Sequence, residues 1–564
     1  METRTCQNCH NEFAIEPEDF KFYDKIKVPP PTRCPSCRVQ RRLLLRNERR
    51  LYRRGCDLCK TSIISMYAKD KPFPVYCYSC WWGDGWNALD FAEELDLKRP
   101  FLEQYKILQN KVPRLALFNI NAINSEYNNY ALDNKDSYMN FRVVGSERAF
   151  YNYYCLAGVD CVNSAYVHKG ELLSGCFDVR GCYNCRFLVD SENCVDSAYS
   201  YDLKNCSNCL FSWNLRSKNY HVRNKPVSPE EFKRIWAETV SGSRIKARHA
   251  KETFEKLYRE KALHRYNKII KSVNSQGANL VNCKNAFEVY YGTDSENVRY
   301  GDDVEKTRDS MDVKGPMESE LAYECCSIDH GCARIYFSDF CQRGCVDAYY
   351  SSFCINSQNL FGCISLQNAK NCILNRQYSP AEYGELKNKL IGEMTRRGEF
   401  GENLGGMASP FAYNETVAME HFPLSKEDAL SKGYLWQDDP GGTYGKETVL
   451  QEDISDEIAN VPDAVVKEIL VCEKCNRNYP VAQGALLLYR RLSVPLPEKC
   501  PSCRYEELLR FRLPRKLWNR PCMCEIKNHD RHQGKRCPNE FETSYSPGRP
   551  EIVYCEECYL REVV

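Results

Sequence analysis

Between residues 181 and 216 the chain falls into lines of twelve whose apolar and polar positions repeat column by column. Cys182, Cys194 and Cys206 share one column; Phe187, Tyr199 and Phe211 share the next, followed by Val189, Tyr201 and Trp213 and by Asp190, Asp202 and Asn214. A short period with aromatic columns and Asn/Asp at turn positions predicts the stacked rungs of a β-solenoid. Farther on, Cys345, Cys354, Cys363 and Cys372 recur every nine residues. The stretch from Asn193-Cys194-Val195-Asp196 to Ser228-Pro229-Glu230-Glu231-Phe232 returns 151 residues later, from Gly344-Cys345-Val346-Asp347 to Ser379-Pro380-Ala381-Glu382-Tyr383, so the repeat region is duplicated. Both copies end in Ser-Pro-x-Glu, a helix start with Ser at the cap and Pro at the first helical position. The helical pattern after Ser228 runs to about 272 with a break at Ser241-Gly242-Ser243, and its 12 Lys/Arg against 6 Glu make it a basic insertion.

A second helical pattern follows Cys37. Arg38, Arg41, Arg42, Arg46, Arg49, Arg50, Arg53 and Arg54 fall at helical spacing on one broad side, with Leu44 and Leu51 opposite. Eight Arg against Glu48 give +7 over 17 residues, and guanidinium forks at that density suit the phosphate oxygens of RNA or DNA, setting affinity without reading sequence. The competing reading is internal pairing. Residues 400–471 carry 14 Asp/Glu against 4 Lys, including Glu452-Asp453-Ile454-Ser455-Asp456-Glu457, an acidic strap able to dock on the Arg helix. The later copy of the helix is less basic, interrupted by Glu506 and Glu507 and ended or kinked by Pro514.

Composition sharpens this picture in one respect. Of 564 residues 34 are Cys, absent from 81 to 154 and from 373 to 471, which leaves 8 at the N-terminus, 17 in the middle and 9 at the C-terminus. No window approaches 18 consecutive apolar residues and the start lacks the apolar run of a secretory signal, so the expectation is a cytoplasmic protein with no membrane span. In a reducing compartment so many cysteines point to metal thiolates and buried thiols rather than to disulfides. The formal net charge of +2 excludes a uniformly basic nucleic-acid coat.

Seven of the nine Cys-x2-Cys pairs lie in the terminal clusters. Cys6, Cys9, Cys34 and Cys37 form one quartet and Cys56, Cys59, Cys77 and Cys80 a second; a two-residue spacer lets one tight turn present two sulfurs to a tetrahedral zinc ion. Cys472, Cys475, Cys500 and Cys503 repeat the first quartet at a constant offset of 466, which also maps Val28-Pro29 onto Val494-Pro495 and Cys56 onto Cys522. At an offset of 478, Cys59 and Val75-Tyr76-Cys77 map onto Cys537 and Val553-Tyr554-Cys555, so twelve residues carrying Cys524, His529 and His532 are inserted into the fourth module. Its site comprises Cys537, Cys555 and Cys558 with Cys522, Cys524 or both. The pair His529-x2-His532 has ligand-like spacing but sits in a polar loop, where solvated histidines are commoner. Four thiolates leave no open position for a nucleophilic water, so about four structural zinc ions are expected, supplying on the order of 10 kcal/mol of folding energy each. A thioredoxin-like redox pair needs a βαβ setting that is missing here.

The intervals of the 17 central cysteines follow the repeat, which reads as a ladder of small buried residues; a further metal site at Cys182/Cys185 and Cys206/Cys209 is the weaker alternative. No Gly-rich phosphate loop, Gly-x-Ser-x-Gly or His/carboxylate set beside an open metal site is present, so no catalytic constellation and no small-molecule substrate are expected. Asp302-Asp303, and Glu288 near Tyr290-Tyr291, read as solvated or turn residues.

The Cys-x2-Cys-x24-Cys-Pro-x-Cys-Arg module, Tyr76-Cys-x-x-Cys-Trp-Trp82, the Cys-rich centre and the closing Cys-Pro-Asn-Glu-Phe-Glu-Thr-Ser-Tyr through Ile-Val-Tyr-Cys together resemble a family of uncharacterised, presumptively zinc-binding bacterial proteins. The resemblance implies zinc at the cysteines already named, with both Cys522 and Cys524 fitting its Cys-x-Cys pattern, and no activity. The expected architecture is multidomain and mainly β. A double treble-clef-like zinc module at 1–90 leads through a helical linker at 91–118 to solenoid half A at 119–227, with the basic helical insertion at 228–272. Half B at 273–378, a helix at 379–399, an acidic linker at 400–470 and a second double zinc module at 471–564 complete it. The expected work is contact with RNA or DNA backbone through Arg38 to Arg54; the alternative is a scaffold that holds partner proteins on its solenoid face and acidic strap.

Overall fold

The computed structural model describes residues 1–315, 319–326, 331–439, 441–526, 532 and 536–563. More of the chain is strand than helix, and the strands gather into two large, mainly parallel sheets. Among the described residues no helix is long and apolar enough to cross a membrane.

The chain divides into two compact units, each assembled from two separated stretches: residues 1–116 with 268–440, and 117–267 with 441–564. The first unit therefore joins the N-terminal cysteine modules to the second copy of the repeat, and the second unit joins the C-terminal modules to the first copy.

In both repeat regions most strands pair in parallel with a partner twelve residues on, the offset becoming eleven at Ile269 and thirteen from Tyr323 to Val346 in half B. Examples are Phe141 opposite Tyr153, Tyr153 opposite Ala165 and Ala165 opposite Phe177. A finer period of three lies inside the twelve. Arg142, Gly145, Arg148, Tyr151 and Tyr154 all have positive φ, and the series continues at every third residue to Tyr220. A left-handed conformation costs a non-glycine residue roughly 1–2 kcal/mol, and the hydrogen bonds between rungs offset it. The Arg148 N–H donates to the Lys135 carbonyl at 3.0 Å and the Tyr151 N–H to that of Tyr138 at 3.1 Å.

The residue after most of these left-handed positions is buried. Val143, Cys155, Cys161, Val167, Leu173, Cys182, Cys185 and Leu188, all spaced by multiples of three, form one buried cluster. Half B repeats this with Cys283, Val289, Val298, Val304, Val313 and Cys325. It then slips by one residue before Cys332 and again before Cys345. This explains the buried thiols physically, since the inward columns take small or aliphatic side chains and Cys serves as a small apolar one. Most of these thiols also act as hydrogen-bond donors, as from Cys185 Sγ to the Cys194 carbonyl at 3.5 Å and from Cys194 Sγ to that of Leu203 at 3.4 Å. A buried ladder of asparagines stands on the same lattice: Asn140 Nδ2 donates to Asn128 Oδ1 at 3.1 Å and to the Ala149 carbonyl at 2.8 Å.

Three sequence expectations are corrected. The helix after Cys37 is Pro35–Leu43 and does not extend to residue 54; Arg53 and Arg54 lie in the strand Tyr52–Gly55. The helical insertion breaks around Ser241-Gly242-Ser243, as its sequence predicts, into Pro229–Thr239 and Arg244–Glu260, but it ends at Glu260 and not near 272, and Leu263–Arg265 is a strand. The Ser228 and Ser379 caps form as expected, each hydroxyl accepting from the backbone N–H three residues on. Asp302 and Asp303, read as solvated, are 2% and 7% exposed and both pair with the buried Lys314 ammonium, at 3.0 and 2.9 Å.

Candidate metal centres

The four terminal cysteine modules are built alike. In the first, the antiparallel strands Glu2–Thr5 and Glu12–Ile15 turn at Cys6 and Cys9. The Cys6 N–H donates to the Asn11 carbonyl and the His10 N–H to that of Cys6, both at 2.9 Å, with His10 at φ 61. Lys60 and Asn476 occupy the same left-handed place after Cys56 and Cys472, at φ 65 and 58. This turn aims two sulfurs the same way, which is why the two-residue spacer matters. The second pair sits at a helix start: Cys34, Cys77 and Cys500 immediately precede the helices Pro35–Leu43, Tyr78–Trp82 and Pro501–Leu509, and Cys555 precedes Glu556–Val563. Free N–H groups at such a start favour thiolate.

Cys6, Cys9, Cys34 and Cys37 converge, as do Cys56, Cys59, Cys77 and Cys80, then Cys472, Cys475, Cys500 and Cys503, and finally Cys522, Cys537, Cys555 and Cys558. Within each quartet the four sulfurs lie within 4.8 Å of one another. A tetrahedral ion with metal–sulfur bonds of about 2.3 Å sets its sulfurs about 3.8 Å apart. The Cys9–Cys34, Cys59–Cys77, Cys475–Cys500 and Cys537–Cys555 sulfurs stand 3.7, 3.8, 3.7 and 4.0 Å apart. Backbone amides prepare the sulfurs for a cation: the N–H of Cys34 donates to Cys6 Sγ and that of Cys77 to Cys56 Sγ, both at 3.3 Å, and that of Cys555 to Cys522 Sγ at 3.2 Å. Burial pushes the Cys6 thiol up, but amides from Cys34, Cys9 and Asn8 outweigh it and hold the group at about 6. Its twin Cys472 is held at about 7 against burial by the amides of Cys500, Cys475 and Lys474. Cys59 comes down to about 6 through the Thr61 hydroxyl.

Cys522 therefore joins the fourth quartet. Cys524 lies instead with His532 in a three-membered group that shares Cys558 with the quartet; His529 lies outside the described residues. Exposure separates the quartets, since Cys9, Cys59 and Cys475 are exposed while every member of the fourth is buried. Among the described residues none of the central cysteines, Cys182, Cys185, Cys206 and Cys209 included, belongs to a ligand group of three or more.

The arginines expected to face phosphate are turned inward. Arg38, Arg41, Arg42 and Arg46 are 1–4% exposed and Arg54 is 8% exposed. Arg38 Nε and Arg42 Nη1 both donate to Asp312, at 2.8 and 3.0 Å. Arg41 reaches Glu324 at 2.5 Å and Glu402 at 2.8 Å; Arg46 reaches Glu48 and Arg49 reaches Glu420, both at 2.7 Å. Arg54 holds the Ala68 carbonyl and Asp57, Arg50 is half-buried, and Arg53 is exposed. Burial would raise the Glu402 carboxyl, yet Arg41 and Thr32 hold it at about 2. The acidic strap is thus split. Inside the first unit Glu402 meets Arg41 on the helix and Glu420 meets Arg49 beyond its end, while in the second Asp456 accepts from the Ile245 N–H at 3.0 Å at the start of Arg244–Glu260. Sequence reasoning missed Asp312 and Glu324, which sit in the strands Arg308–Lys314 and Tyr323–Cys326, where no local pattern marks them.

The same joint is built twice. Arg38 lies over the Tyr300 ring at 5.0 Å and bonds Asp312, and its twin Arg504 lies over Tyr151 at 4.6 Å and bonds Asn163. Tyr300 and Asp312 follow Tyr151 and Asn163 by 149 residues, and the two single-residue slips of half B restore the 151 seen later in the repeat. Each unit also pairs the last strand of its second cysteine module in parallel with a strand that follows a helix. Val75–Tyr76 pairs with Arg114–Leu115, and Ile552–Tyr554 with Leu263–Arg265. No family model and no curated protein matches the chain.

Proposed function

We propose that this protein is a non-catalytic, cytoplasmic scaffold. In this reading four zinc ions staple treble-clef-like modules onto the two halves of a β-solenoid, and the outer solenoid faces hold partner proteins. The observation that carries it is the set of four closed cysteine quartets with the sulfur spacing of tetrahedral zinc. The joint between helix Pro35–Leu43 and Asp312 adds a reason: the modules are fastened to solenoid strands by buried charge and aromatic contact, so metal loading fixes the scaffold as well as its own module. The test is elemental analysis with limited proteolysis. About four zinc ions per chain, and loss of protease resistance in residues 1–90 and 471–564 on chelation, support the reading. Metal-free protein with both ends intact overturns it.

The phosphate reading stands second, because six of its eight arginines pair with carboxylates and Arg53 alone of the eight is exposed. It predicts RNA or DNA binding that weakens steeply between low and moderate salt; no binding at low salt dismisses it.

A further inference from the structure

The fourth cysteine module differs from its twin by one insertion, and the donors flanking and within that insertion gather at a sulfur the quartet already uses. Cys524 takes the place of Leu58, which is 40% exposed in the second module, yet Cys524 is fully buried. His532, 7% exposed, arrives from the inserted residues. The donor atoms of Cys524, His532 and Cys558 lie within 4.8 Å of one another, and His532 Nε2 stands 3.9 Å from Cys558 Sγ. Among the described residues no other quartet has a second donor group beside it.

We propose that the C-terminal module binds two zinc-class ions bridged by Cys558 Sγ. One is held by Cys522, Cys537, Cys555 and Cys558, the other by Cys524, His532 and Cys558. Charge favours this arrangement. A divalent ion within four thiolates leaves a buried group of net charge −2, whereas a second divalent ion with the Cys524 thiolate brings five thiolates and two ions to −1. A thiolate has lone pairs enough to bridge, and sulfur with imidazole selects zinc-class ions over calcium or magnesium. The second ion has three protein donors, so its fourth position is open to water or another small donor, unlike the closed quartets. It is the exchangeable ion of the molecule.

This inference rests on the zinc-loading reading above, and one count separates their failures. Full-length reduced protein is saturated with zinc, desalted and weighed by native mass spectrometry. Five ions support the bridged pair. Four overturn it while leaving the scaffold reading standing, and fewer than four overturn both. Cys524→Ser and His532→Ala each lower the count from five to four with unchanged far-ultraviolet circular dichroism; a count that does not move overturns the assignment. In cobalt-substituted protein, two ions sharing Cys558 couple magnetically. The paramagnetic resonance intensity per cobalt therefore falls as the fifth ion binds, and undiminished intensity at saturation refutes the bridge.

Discussion

Asp312 has no exposed side-chain surface and faces Arg38 and Arg42, each with 2% of its side chain exposed. Asp312→Ala leaves two buried guanidinium groups without their counter-charge. Arg38 keeps the Arg33 carbonyl at 2.7 Å and the Tyr300 ring, and Arg42 keeps a weak contact to the Tyr300 carbonyl at 3.5 Å. Neither replaces a carboxylate. Removing one partner of a buried pair costs about 3–5 kcal/mol, whereas replacing the whole group with apolar side chains of similar volume is often neutral or better. The single variant is thus expected to destabilise the first unit by about 3–5 kcal/mol. With a urea m-value of about 3 kcal/mol/M for a unit of this size, the midpoint falls by about 1 M or more. The triple variant Asp312→Leu, Arg38→Met, Arg42→Met recovers most of that loss. Hydrogen exchange across the urea transition, read on peptides covering Pro35–Leu43 and Arg308–Lys314 in zinc-saturated protein, isolates this unit from the other. A single-variant shift below about 0.3 M, or a triple variant less stable than the single one, would show that water already solvates these arginines and would refute the burial argument.

Other outcomes follow from the same geometry. Asn140→Leu removes one of the two donors to the Ala149 carbonyl, which keeps the Tyr138 N–H, and leaves the buried Asn152 N–H without its acceptor, so the second unit should lose about 1–3 kcal/mol in chemical denaturation. His264 is fully buried, with Nε2 donating to the Tyr258 carbonyl and Nδ1 facing the Tyr545 hydroxyl. Burial lowers it from 6.5 to about 4. The unfolded chain therefore takes up the extra proton first, and the stability gained by keeping the ring neutral is complete above pH 6.5 and lost as pH falls toward 4. The loss is about 3 kcal/mol; in thermal melts of zinc-loaded protein His264→Gln should flatten this slope, and an unchanged slope counts against it. Iodoacetamide on folded, loaded protein should leave the 17 central thiols unmodified. Under chelation Cys9, Cys59 and Cys475 should label before any member of the buried fourth quartet, in a time course read by mass spectrometry.

The cysteine quartets were legible in the chain because a two-residue spacer and a constant 466-residue offset are local facts, and a tetrahedral site needs little more than two turns that each present two sulfurs. The duplicated repeat was legible for the same reason. Its underlying period of three is written in the central cysteines, whose nine- and twelve-residue intervals share that divisor.

The direction in which the arginines point was not legible. Helical spacing gathers Arg38, Arg41 and Arg42 on one side, but spacing is blind to what lies opposite, and their carboxylates stand in strands 270 to 283 residues away. Whether a guanidinium faces water or a buried Asp is decided by desolvation against pairing energy, which exists only once the two stretches meet. The choice between Cys522 and Cys524 belongs to the same class. The sequence by itself determined which atoms can bind metal and how the strands repeat. The tertiary structure decided which stretches pack into one unit, which charges neutralise one another, and which sulfur stands between two groups of donors, because those outcomes depend on distances through space that no local spacing encodes.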